Sequence, residues 1–120
     1  MRTNDRVSIR RVYDAPADNE GVRVLVDRLW PRGRSHEEVG EDIWAKDAAP
    51  SSELRRWFHA HPDHLEEFEK RYRAELASSG AAEALAEQLR GAAHITLLYA
   101  AKDPKIAHAN VLANVLEGKP

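Results

Sequence analysis

The chain has 120 residues, 42% hydrophobic and 32% charged, with 18 Lys+Arg against 20 Asp+Glu for a formal net charge of −2. That length holds one core, so residues 1–120 are expected to form a single domain, and the charge balance gives no overall attraction to nucleic acid or anionic membrane. The absence of cysteine excludes disulfides and thiol chemistry, no run is long enough to span a bilayer, and the polar start MRTNDRVSIRR lacks the apolar segment of a secretory signal, which together predict a cytoplasmic protein with no membrane partner.

Val7–Tyr13 alternates apolar and polar residues and reads as a strand, a candidate for a sheet edge, and the Pro, Asp, Asn and Gly of Asp14–Gly21 read as a loop. Val22–Leu29 is predicted as the second strand, and its consecutive apolar residues suggest burial on both faces, as in a parallel sheet. Arg32–Glu41 is polar and loop-like, and Asp42–Ala49 has no assignable pattern. A helix is expected from Ser51, which can cap it, with Leu54, Trp57 and Phe58 on one face. The next starts at Pro62-Asp63, buries Leu65, Phe68, Tyr72 and Leu76, and stops at Gly80; a third covers Ala81–Arg90 with Leu85 and Leu89 inward. His94–Ala101 is an apolar strand. Asp103 as cap and Pro104 at the first position open a last helix, with Val111, Leu112, Val115 and Leu116 buried and Gly118 ending it. The order predicts a small α/β domain, a mainly parallel sheet flanked by helices joined by right-handed crossovers.

Ligands in such sheets sit outside the carboxyl ends of the strands. One strand ends in Asp27, Arg28, Trp30, Pro31, Arg32 and Gly33, the other in Lys102 and Asp103, so residues distant in sequence are expected to line one crevice. Arg28 and Arg32 are planar forks suited to phosphate or carboxylate, or to an ion pair bracing the turn. Asp27 is either a base or the partner that orients one of them. Trp30 either covers the crevice or pins the loop, and Gly33 is expected to take a backbone conformation other residues resist. Lys46 with Asp47 adds a second charged pair or a solvated loop, and Lys102 lies beside a helix N-terminus that favours anions. His108, about one turn into the last helix, is an acid, base or ligand contact, or a satisfied core histidine. His59, His61 and His64 straddle Pro62 without the spacing of a metal motif, so no metal and no cofactor are assigned.

VLVDRLWPRG, WAKDAAPSSELRRWF and TLLYAAKD together resemble the YeaO-like family, domain-of-unknown-function family 488, and the likeness runs from Ile9 to Leu116. It implies that Asp27, Arg28, Trp30, Pro31, Arg32, Gly33, Trp44, Lys46, Asp47, Pro50, Ser51, Leu54, Arg55, Trp57, Phe58, Tyr72, Tyr99 and Lys102 or Asp103 are signature positions. Near the last helix the family usually reads like HNHAVVL where this chain has IAHANVL: His108 is kept, Ala107 stands for the usual asparagine and Asn110 for a valine.

The expectation that follows is an anion-binding crevice for a nucleotide or nucleic-acid phosphate. Arg28 and Arg32, with Trp30, Lys46 and Lys102, would hold the ligand. If the protein is an enzyme, metal-independent hydrolysis or transfer would use Asp27 or His108 as base and Lys102 to stabilise developing charge. The alternatives are a non-catalytic protein-interaction module and a DNA-binding regulator. The net charge and the lack of a helix-turn-helix weigh against the latter.

Overall fold

The last strand in the sequence lies inside the sheet. In the computed structural model, which describes residues 6–14, 20–103 and 107–118, β1 (Val7–Arg11), β2 (Val22–Leu25), β3 (Ile43–Trp44) and β4 (Ile95–Tyr99) form a four-stranded sheet in the order β1-β4-β2-β3. Every pairing is parallel: Val7 lies opposite Ile95, Val22 also opposite Ile95, and Val24 opposite Ile43. β4 is buried at all five positions, as expected of a strand paired on both edges and covered on both faces. β1 is an edge strand.

The helices are α1 (His36–Val39), α2 (Ser52–Ala60), α3 (Leu65–Ser79), α4 (Ala81–Gln88) and α5 (His108–Leu116). Side chains alternate across a strand, so the sheet has two cores. Val24, Val26 and Leu97 join Phe58, Phe68, Tyr72, Leu76, Leu85 and Leu112 from α2 to α5. Leu25 and Leu98 face the other way and meet Val12 and Val39, with Tyr13, Trp30 and Trp44 packed against them. Ser51 caps α2 as expected, its Oγ accepting from the Leu54 N–H at 3.1 Å. Glu75 of α3 accepts from the Ser51 N–H at 2.8 Å, tying α2 to α3. Phe58 and Phe68 stack at 4.3 Å between ring centroids.

Several boundaries differ from the sequence reading. The second strand ends at Leu25 rather than Leu29; the Val26 N–H still donates to the Leu98 carbonyl at 3.0 Å, and then the chain turns out of the sheet. The polar stretch Arg32–Glu41 contains α1, held by a capping box in which Ser35 and Glu38 satisfy each other's backbone N–H groups. The unassigned Asp42–Ala49 holds β3 and a short 3-10 turn, Lys46–Ala48. Asp103 does not cap α5, which begins at His108 with Ala107 as its cap residue and no side-chain cap bond. That places His108 in the first turn, and Pro104 lies outside the described residues.

Gly21 shows why β2 starts where it does. Its φ is +68°, and a Cβ there would sit 2.1 Å from the His94 carbonyl oxygen, which accepts the Val22 N–H at 3.0 Å; only glycine lets the two backbones approach so closely. Beneath the second face Arg23 and Glu20 are buried together. Their side chains pair directly, Arg10 Nε lies 2.9 Å from Glu20 Oε2, and Arg23 also donates to the Val39 and Gly40 carbonyls at 2.6 and 3.1 Å. Among the described residues no helix is long and apolar enough to cross a membrane.

Candidate functional site

A cavity of about 360 Å³ opens where β2 and β4 leave the sheet. Asp27, Arg28 and Leu29 follow β2, Ala100 and Ala101 follow β4, Ala107 and His108 open α5, and Arg55, Phe58 and His59 come from α2. Most of its walls are apolar, and three basic side chains, Arg28, Arg55 and His59, face one carboxylate, Asp27.

Asp27 and His108 meet at the strand ends, with Asp27 Oδ1 3.3 Å from His108 Nε2. Both are tied to backbone. Asp27 Oδ2 accepts from the Ala100 N–H at 3.0 Å, and His108 Nε2 lies 2.8 Å from the Val26 carbonyl oxygen. A carbonyl only accepts, so this contact puts a proton on Nε2 and leaves the Nδ1 lone pair of the neutral ring available. Burial pushes the Asp27 carboxyl above its ordinary pKa, against the attraction of His108, the Ala100 bond and Arg55. Burial also holds the His108 imidazole below its ordinary pKa, against Asp27 and the Val26 bond. Both shifts have the same leading cause: burial keeps water from the charged form.

Arg28 spends Nε and Nη2 on the Pro50 and Ala49 carbonyls at 3.1 and 3.3 Å, which leaves Nη1 outside those two bonds. Arg55 forms no ion pair among the described residues. From sequence, Arg55 is read as a signature position of the resemblance and His59 as part of a histidine group around Pro62, and neither is placed in the crevice. Their four-residue spacing places them side by side on α2, next to the inward Leu54 and Phe58, and that was the signal available.

The remaining expected ligand contacts lie elsewhere. Trp30 packs under the second face of the sheet, its ring 5.2 Å from that of Trp44, and its Nε1 donates to the Arg34 carbonyl at 2.6 Å. Lys46 Nζ lies 4.7 Å from the Trp44 ring centroid. Arg32 is exposed, and its carbonyl accepts from Tyr13 Oη at 3.3 Å. Gly33 has a φ of +79°, a conformation that strains other residues. Lys102 is exposed beyond β4 and is not among the lining residues. The histidines after α2 serve packing: His61 stacks on Trp57 at 4.9 Å, with His64 5.6 Å from His61. Among the described residues no three His, Asp or Glu side chains gather as metal ligands would.

Residues 6–119 match the protein family described as the inactive DUF488-N3 subclade. An uncharacterized protein of Mycobacterium tuberculosis H37Rv is 42% identical over 119 residues, covering 99% of this chain and all of that protein. The uncharacterized protein YeaO of Escherichia coli K12 is 39% identical over 110 residues, 92% of this chain and 96% of YeaO. No solved structure matches the chain.

Proposed function

This chain belongs to the inactive DUF488-N3 subclade, and from that premise we propose that it binds a small anionic ligand in the cavity at the strand ends and does not turn it over. The observation that carries this reading is the local charge: two guanidiniums, Arg28 and Arg55, against one carboxyl, Asp27, among the lining residues, in a chain whose net charge is −2. Forked guanidiniums suit a phosphate or carboxylate. At about 360 Å³ the cavity lies at the small end of ligand pockets, roughly 300–1,000 Å³, so a single nucleotide-sized molecule fits it better than a nucleic-acid strand.

Two features favour holding over reacting. The described lining residues include no hydroxyl, thiol or amine to act as a nucleophile. Asp27 and His108 are bonded to the backbone of the two strand ends, so as a pair they shape the floor. If chemistry does occur, the neutral His108 is the group able to accept a proton.

Calorimetric titration with inorganic phosphate and nucleoside 5′-monophosphates tests the reading. One-to-one binding that weakens as salt rises, and weakens further in Arg55→Gln, supports it. No binding of any of these at low salt overturns the anion site. Conversion of a bound ligand, abolished by His108→Gln, overturns the absence of turnover.

A further inference from the structure

The second face of the sheet carries a separate cluster that the cavity does not use. Tyr13, Trp30 and Trp44 are half-buried side by side over Leu25 and Leu98. Arg11 and Arg34 lie over the Tyr13 ring at 5.2 and 5.0 Å, and Lys46 over Trp44 at 4.7 Å. Arg32 lies on the same turn, exposed, its carbonyl held by Tyr13. None of these four cations forms an ion pair among the described residues, whereas Arg10, Arg23, Arg71 and Arg90 all do. A protein with more acids than bases thus gathers at one place four cations without ion pairs among the described residues, three of them on aromatic rings.

We propose that this face docks a short acidic segment of a partner protein. Charge complementarity requires an anionic partner, and the state of the rings decides which kind. Single-stranded nucleic acid is held by bases stacked on open aromatic faces. Here Tyr13 and Trp44 already carry cations, and the His36 ring lies 4.0 Å from that of Trp30. Arg11 spends Nε on the Ala101 carbonyl at 3.0 Å, and a guanidinium laid on a ring still presents its remaining N–H edge to a carboxylate while the ring restricts it before binding. Two tryptophans, a tyrosine and three arginines are also the residue types that dominate binding energy in protein interfaces. The exposed Glu37, Glu38 and Asp47 border the cluster in sequence and repel anions at its margins, so the positive patch is short and a long polyanion would run off it.

The test is a fluorescence titration of the full chain with a decameric polyglutamate peptide and, separately, with decauridylate. It is run on wild type, on Arg32→Glu/Arg34→Glu/Lys46→Glu, and on a control reversed at the exposed Arg56 and Arg90. The peptide should bind wild type and the control in a salt-dependent way, with affinity lower by about tenfold or more in the triple variant. Circular dichroism should show both variants folded, since the changed side chains are exposed. Equal loss in the control would mean diffuse attraction and would overturn the site. Tighter binding of decauridylate than of the peptide, lost in the triple variant, would transfer the face to nucleic acid. Binding of neither ligand to wild type also overturns the proposal. Each outcome is independent of ligand binding in the cavity.

Discussion

Arg28 and Arg55 both line the cavity and do different work there. Arg28 braces the Ala49-Pro50 turn through two carbonyls, so Arg28→Lys is expected to cost about 0.5–1.5 kcal/mol of stability through a lost neighbouring bond, read by urea denaturation. Arg55 is exposed and forms no ion pair among the described residues, so Arg55→Gln should leave stability within about 0.5 kcal/mol of wild type while reducing ligand affinity. His108 makes stability depend on pH. Its folded pKa lies below the ordinary imidazole value of 6.5, so the unfolded chain binds the proton more readily. The contribution is therefore complete above that pH and is lost as the pH falls below it, through the folded pKa. Asp27 behaves in the opposite sense: its pKa is raised above 3.8, so its cost is absent at low pH and grows as the pH rises through the carboxylate range. Thermal melts of wild type and His108→Gln between about pH 7.5 and about pH 5 separate the histidine. The advantage of wild type should shrink on the acid side, and a constant difference would show that folding leaves the His108 pKa unchanged.

Among the elements, α2 and α3 define the cavity wall, and their packing rests on Phe58, Phe68 and Tyr72. Phe68→Ala should cost about 3–5 kcal/mol by leaving a hole beside Phe58. Ser51→Ala should cost about 0.5–2 kcal/mol because it removes the α2 cap and one partner of Glu75. This half of the molecule was legible in the sequence. Helical spacing, Ser51 and Gly80 are strong local signals, and the buried stripe follows directly from them. The second face was not. α1 is four residues long with one apolar position, too short for periodicity, although Ser35 and Glu38 spell its capping box. β3 is two residues whose pairing depends on β2. A buried Arg23 inside β2 looks like an interruption until Glu20, Val39 and Gly40 are seen around it. Removing Glu20 alone should prove severe, about 3–5 kcal/mol, because it strands the Arg23 charge. The site was legible in part for a similar reason. Asp27 and His108 converge as the strand ends predicted, whereas the sequence order that joins Arg28 to Trp30 and Arg32 hid the turn that sends them to opposite faces.

At the scale of the whole molecule, both cores hang on the same two strands. Val24 and Leu97 serve one, Leu25 and Leu98 the other, so neither face can melt while the other keeps its sheet. Tryptophans report on each side: Trp57 on the helical face, Trp30 and Trp44 opposite. A chain keeping only Trp57 and one lacking only Trp57 should therefore give the same unfolding midpoint by fluorescence as by circular dichroism, once each variant is compared with itself. Diverging midpoints would mean two cooperative units.

The strand order also sets a timetable for the newborn chain. β1 and β2 do not touch each other; each is paired to β4, which is made after every other strand. As the polypeptide leaves the ribosome, β1 and β2 emerge with their partner edge still unsynthesised, and only the pairing of β2 with β3 can form early. Long-range parallel pairing of this kind closes slowly, and until it does, the apolar Val22, Val24 and Leu25 and the backbone edge that β4 will take stay exposed to neighbouring chains. Fragments ending before Ile95 should show helix without native sheet by circular dichroism and should aggregate where the full chain does not.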